Sequence, residues 1–296
     1  MEKRTILAFV LSIIVLIGWM YFFGTKQEPI DPAKENIAQE DKTISPQPDK
    51  SPYQTPSPPR VSEQKTAEPA TTDISEKEIK VETPLYIAVF SNRGPVIKSF
   101  QLKKYLLNQE PNSPLIELAV LPDNEQDFFN IGFDTQSNKD MDGIYDVNEG
   151  AVLLGVDSPA KDLIFSRTRS DGIVIEQTFR FYPDSYPIEV RITLSNKSQY
   201  QMGGNIRTSI KNLPPQDKAS YYSFHGAALF LNDELEEIKP KKMEEEKRLV
   251  GKIDWMAYEN GYFISAVLPK EKSQGNFIGR LLPSGAIDAT YIEPAI

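Results

Sequence analysis

The chain has 296 residues, 40% of them apolar, and a formal net charge of -9. That length holds one large domain or two small ones, with enough apolar material for a sizeable core. The acidic balance argues against nucleic acid as a partner, because phosphate recognition needs clustered Lys and Arg. The absence of cysteine excludes disulfides, thiolate metal sites and cysteine nucleophiles.

Residues 1–4 carry Lys3 and Arg4, and residues 5–23 follow as an uncharged run, TILAFVLSIIVLIGWMYFF. This run has about the length a helix needs to cross a bilayer. Helical pairing alone satisfies the backbone of a single segment in lipid. The positive flank predicts a cytoplasmic N-terminus, and Trp19, Tyr21, Phe22 and Phe23 sit where an interfacial aromatic belt belongs. A cleaved signal peptide would have a shorter apolar region ending in small residues, so an uncleaved transmembrane helix is the expectation.

Residues 24–80 change character. Prolines recur from Pro29 to Pro69 among Ser, Thr, Gln, Glu, Asp and Lys, and Tyr53 is the only aromatic. Such a segment buries too little apolar surface to offset its ordering entropy, which predicts a disordered, extended linker.

Residues 81–296 carry the signal of a mainly β domain. Leu85, Ile87 and Val89 alternate with Tyr86, Ala88 and Phe90, and Ser91–Pro95 breaks the run before a second strand over 96–102, giving a hairpin. A second hairpin is clearer. Ile173, Ile175, Phe179 and Phe181 share one strand face, interrupted by Gln177, and Ile188, Val190, Ile192 and Leu194 share a face of the next strand. Alternation with period two predicts antiparallel strands with one face buried. Further short strands are expected at 115–121, 151–156, 162–168, 204–211, 261–268 and 276–282. Many short strands between Gly, Pro, Asn and Asp turns point to a β-sandwich. The charge-dense stretch 233–248 is expected to be a solvated loop with a short helical piece after Pro240.

No catalytic constellation emerges from the motifs. There is no Walker lysine loop, G-x-G-x-x-G, H-E-x-x-H or G-x-S-x-G. Met202–Asn205 has a glycine pair without phosphate-loop spacing, and Asp140–Gly143 lacks the remaining ligands of a calcium loop. His225, the single histidine, has no partner motif around it and is expected in a loop. Glu259 near Trp255 and Tyr258 is the one arrangement that would suit a stacked sugar, against core packing of the two aromatics. The expectation is therefore no catalytic, cofactor-binding or metal-binding residue.

Three stretches carry a family resemblance. They are Glu82–Tyr86 leading through Asn92-Arg93-Gly94 to Ser99–Tyr105, Phe181–Ile188 through Leu194-Ser195-Asn196, and Gly251–Tyr258 with Gly261–Ala266. Together with the N-terminal run and the tether, their order resembles the front half of the bacterial YidC membrane protein insertases. The resemblance implies an antiparallel β-supersandwich like that of galactose mutarotases, held in the periplasm by an inner-membrane anchor. It implies a non-enzymatic role in inserting and folding inner-membrane proteins. The implied partners are the inner-membrane lipid bilayer, nascent membrane proteins and components of the Sec translocon. The family's later membrane helices have no counterpart in this sequence, so a fragment of a longer chain is expected and no catalytic residue is transferred. The alternatives are a membrane-anchored carbohydrate-binding or mutarotase-like β-sandwich, and a passive envelope scaffold.

Overall fold

The computed structural model describes residues 75–135, 143–215, 223–271 and 274–295. The expected transmembrane helix at 5–23 and all of the expected linker up to residue 74 lie outside the described residues, as does most of Asp140–Gly143. Among the described residues no helix is long and apolar enough to cross a membrane.

The folded part starts with β1 (Glu78–Glu82), three residues ahead of the boundary expected at 81, because Ile79 and Val81 both turn into the core. It pairs with β2 (Tyr86–Ser91), and β2 pairs with β3 (Val96–Leu106), so the expected first hairpin is present. Thr83 shapes the entry to β2: its hydroxyl accepts from the Leu85 and Tyr86 amides, at 3.1 Å each. Gly94 takes a left-handed φ of 65° in the turn, a conformation that costs glycine little. Buried Asn92 then ties the turn down. Its side-chain oxygen accepts from the Lys77 amide at 2.7 Å, and its amide nitrogen donates to the Tyr145 carbonyl at 3.0 Å.

The remaining strands follow in order: β4 (Leu115–Glu117), β5 (Phe129–Asp134), β6 (Asp146–Val147), β7 (Ala151–Leu153), β8 (Lys161–Thr168), β9 (Ile173–Phe181), β10 (Glu189–Asn196) and β11 (Gly204–Asn212). Then come β12 (Gly226–Leu231), β13 (Glu234–Ile238), a 3-10 turn (Pro240–Met243), β14 (Lys247–Glu259), β15 (Ile264–Val267), β16 (Gln274–Leu281) and β17 (Ile287–Ala295). They form two sheets. The larger has 13 strands in the order β13-β12-β14-β16-β17-β11-β5-β3-β2-β1-β7, with β15 added to β14 and β4 to β3. The smaller has four, in the order β10-β9-β8-β6. This is the expected β-supersandwich, with one departure from antiparallel pairing: β1 and β7 run parallel.

The sheets meet over an aromatic core. Phe90 of β2 packs edge-on against Phe179 and Phe181 of β9, at 5.1 and 5.8 Å between ring centres, and Phe165 of β8 completes the cluster. Fully burying each such ring stabilises the fold by about 1.5–3 kcal/mol, and edge-to-face contacts add roughly 0.5–1.5 kcal/mol. Two buried polar side chains fasten β9 and its preceding turn to β5. Gln177, the residue that interrupts the apolar face of β9, donates to the Ile131 carbonyl at 3.0 Å. Arg169 donates to the Phe133 carbonyl at 2.9 Å, pairs with Asp171 at 2.5 Å and lies over the Phe133 ring.

Two expectations need correction. The stretch at 233–248 is not a loop. Asn232 and Asp233, at φ 51° and 66°, make a two-residue hairpin turn, and Glu234–Ile238 returns as β13 along β12. Glu234 and Glu236 share the face of Ile238, and Glu237 shares that of exposed Leu235, so only Ile238 at the strand's end is buried and the edge strand carries its charge in solvent. A short helical piece does follow Pro240, as a 3-10 turn with Met243 buried. The second correction concerns β10. Its antiparallel pairing with β9 is as expected, but its apolar face is not buried: Val190 is exposed, and Ile192 and Leu194 are only half-covered.

Candidate binding cleft between the sheets

The open face of β10 looks into a cleft of 1370 Å³. Its floor is the large sheet, with Phe100 and Leu102 from β3, Ile131 from β5, Ile206 and Ile210 from β11 and Tyr291 from β17. One wall is β9 and β10, through Thr178, Arg180, Val190, Ile192 and Leu194. The other is β15 with its flanks, from Tyr262 to Lys270. The apolar part of the β10 wall has a local reason: period-two alternation puts Val190, Ile192 and Leu194 on one side of β10, while Arg180, Glu189 and Arg191 add charge to the lining.

Aromatic side chains gather at the mouth. Tyr105 at the end of β3 meets Phe263 edge-on at 5.3 Å between ring centres. Tyr186 comes within 6.4 Å of Tyr86, which stacks on Phe100 at 4.6 Å. Tyr262 is 84% exposed, and Ile264 and Leu268 beside it are also exposed. Contiguous exposed apolar surface of this kind marks sites of association. Burial, with help from nearby Tyr105, raises the Tyr186 hydroxyl above its ordinary pKa, and burial alone raises Tyr86. Both hydroxyls stay neutral at physiological pH, and that of buried Tyr86 has no hydrogen-bond partner among the described residues.

Charge is confined to the rim and is mostly paired. Arg180 grips Asp162 with two bonds of 2.7 and 2.8 Å, and this contact holds the Asp162 carboxyl below its usual range. Tyr182 donates to Glu189, which raises the phenol's pKa. Tyr291 donates to Glu293 at 3.1 Å. Such an arrangement suits an extended apolar ligand whose ends are polar.

The residues considered for chemistry do not converge here. His225 lies in the loop before β12, as expected, with its Nε2 3.0 Å from the Ser223 hydroxyl, and it does not line the cleft. Gly261 (φ 86°) lets that loop approach, since a Cβ there would fall 2.5 Å from the Ser223 oxygen. Tyr258 is buried, with its hydroxyl donating to the Leu213 carbonyl, while Trp255 stacks on Phe230 from the opposite side of β14. Core packing therefore claims Tyr258, whereas half-buried Trp255 packs on Phe230 outside the core, and the two do not together flank Glu259. Burial, reinforced by Glu237, raises the Glu259 carboxyl pKa. Among the described residues no cluster of metal-ligating side chains is present.

The three sequence stretches singled out earlier do converge. Tyr105, Tyr186 and the Tyr262-Phe263 pair, more than 150 positions apart at their extremes, stand together at the cleft mouth. Residues 78–296 match the model of the YidC periplasmic domain. The chain belongs to the YidC periplasmic domain family. Among its relatives, the protein of Syntrophus aciditrophicus named membrane protein insertase YidC is 30% identical over 92% of this chain and 51% of that protein. A namesake from Pelobacter propionicus is 27% identical over 100% of this chain and 53% of its own length. The chain thus spans about half the length of the curated relatives it matches. A galactose mutarotase related enzyme from Lactobacillus acidophilus superposes with a TM-score of 0.52 over 73% of this chain and 85% of that one, at 8% identity. That likeness gives a YidC-type domain the mutarotase-like sandwich fold and nothing about chemistry.

Proposed function

We propose that this chain supplies the periplasmic module and anchor of a bacterial membrane protein insertase. The module is a binding and scaffolding unit, not an enzyme. Residues 5–23 cross the inner membrane with residues 1–4 in the cytoplasm, residues 24–77 form the tether, and the domain from Glu78 onward stands in the periplasm. Nascent membrane proteins are the clients, and Sec translocon components are partners. The observation that carries this reading is the family match over residues 78–296, which takes in every described strand.

A depletion assay tests it. In bacteria lacking their own insertase, this chain joined to the remaining half that its relatives possess restores insertion of a single-span reporter protein. The same chain without residues 78–296 is expected to restore it less well or to lose Sec components on purification. Failure of the joined chain to support insertion overturns the reading. Sugar turnover by the purified domain, abolished by His225→Ala, would favour the mutarotase-like alternative instead.

A further inference from the structure

Exposed apolar side chains gather at one pole of the folded part. Leu106 ends β3 and Leu107 follows it, Val120 lies beyond β4, Leu153 ends β7, Val156 sits in the loop after it, and Tyr262 tips the turn before β15. All six are exposed. Contacts between the loops draw them together. The Glu82 carboxylate accepts from Lys103 Nζ at 3.0 Å, and the Glu82 carbonyl accepts from the Leu154 amide at 2.8 Å. Tyr105 meets Phe263 beside Tyr262. The Leu213 amide donates to the Val120 carbonyl at 2.8 Å, and the Leu213 carbonyl accepts from the Tyr258 hydroxyl at 2.8 Å. The other pole differs. Around its turns at Gly94, Gly172 and Lys197, Tyr200 is the only exposed large hydrophobic among the described residues.

The pattern of this pole decides what fits it. Its apolar residues are single tips on separate loops, interleaved with exposed Lys104, Glu110 and Asp157. Of the six, only Tyr262 also lines the cleft, so the pole is a surface of its own. A protein partner needs a contiguous, complementary apolar centre. A lipid interface is fluid and accepts isolated Leu and Val side chains at shallow depth, and tyrosine places its ring in the apolar zone and its hydroxyl in the wet one. Lys104 makes no ion pair among the described residues, which leaves its ammonium for lipid phosphates. Reach is not limiting. With residues 5–23 in the membrane, a tether of residues 24–77 spans roughly 40 Å root-mean-square, about the length of β3 with its 11 residues.

We propose that this pole docks on the surface of the lipid bilayer, as a second membrane contact besides the anchor. Leu106, Leu107, Val156 and Tyr262 dip into the boundary between headgroups and acyl chains, and Lys104 meets lipid phosphate. Because Tyr262 stands at the cleft mouth, docking turns that mouth toward the bilayer. The proposal rests on the membrane-anchored reading only for how close the pole is held; the contact itself belongs to the folded part.

The chain has no cysteine, so single cysteines carrying the dye NBD report position cleanly. The variants are Leu107→Cys, Val156→Cys and Tyr262→Cys at the pole, with Tyr200→Cys as the distant control. Each is reconstituted with vesicles of phosphatidylethanolamine and phosphatidylglycerol containing a doxyl-labelled lipid, as the full 296-residue chain and as that chain joined to the remaining half of its relatives. Emission from the three pole labels should shift to the blue and fall about twofold or more, while the Tyr200→Cys label stays unchanged. Adding Leu106→Ser and Leu107→Ser should restore most of the emission at Val156→Cys without lowering the melting temperature. No quenching at the pole overturns the proposal, as does equal quenching at Tyr200→Cys or quenching lost in the joined chain. A blue shift that requires an added apolar peptide assigns the pole to a client and also overturns it. Carbonate extraction separates the two readings. A chain released by carbonate fails as an anchored protein, yet quenching at its pole before extraction still supports docking. A chain that resists carbonate with unquenched pole labels keeps its anchor and loses the proposal.

Discussion

Strands β9 and β10 carry nearly the same pattern and meet different fates. In β9 the inward residues Ile173, Ile175, Phe179 and Phe181 are fully buried, because Phe90 and its neighbours on the large sheet press against them. In β10 Val190 is exposed and Ile192 and Leu194 stay half-covered, because the cleft opens in front of them. Alternation therefore specifies which side of a strand is apolar, while burial depends on what the rest of the chain places there. The same hairpin is core along one strand and the wall of the cleft along the other.

Substitutions on the two strands and their supports should differ in proportion. Phe90→Ala, which empties the centre of the aromatic cluster, should cost about 3–5 kcal/mol in urea unfolding. Arg169→Ala should come next, at about 3 kcal/mol, because it strands the Phe133 carbonyl and leaves Asp171 without its partner. Val190→Ala on the open strand should fall within about 0.5 kcal/mol. A loss of several kcal/mol at Val190 would mean that β10 is covered after all.

Two carboxylates extend the comparison to pH. Asp288 is buried on the large sheet, and burial raises its pKa despite the Thr290 hydroxyl and nearby Lys211. Its contribution to stability is full below the unfolded pKa and is lost as pH rises through the raised folded value. Asp288→Asn should therefore flatten the decline of melting temperature on the alkaline side of that window. Asp162 on the cleft rim has the opposite sign, since Arg180 lowers its pKa. Its contribution holds above the unfolded pKa and fades as pH falls through the lowered folded value. Asp162→Asn should remove that acid-side loss, and the change should be small because the pair is solvent-exposed.

Much of the strand inventory was legible in the sequence. Both early hairpins, the strands at 161–168 and 204–212, and the sandwich class follow from alternation and turn chemistry. The misreading at 233–248 shows the limit. Charge density suggested a loop, but the hairpin is dictated by two residues, Asn232 and Asp233, that tolerate positive φ. Strands β5, β12, β14 and β17 were not expected either; in β5 Phe129, Ile131 and Phe133 alternate, but the run is short and contains Gly132. The cleft itself was not legible. Tyr105, Tyr186 and Phe263 were visible as family markers, and only the strand order brings them to one place.

The stacking of Trp255 on Phe230 has a practical corollary. Trp255 is the single indole beyond residue 19, so selectively excited tryptophan emission of the folded part reports one wing of the molecule, around β12 and β14, and is blind to the phenylalanine-packed wing. Far-ultraviolet dichroism follows every strand. Melting traces from the two signals will superimpose only where both wings unfold as one cooperative unit.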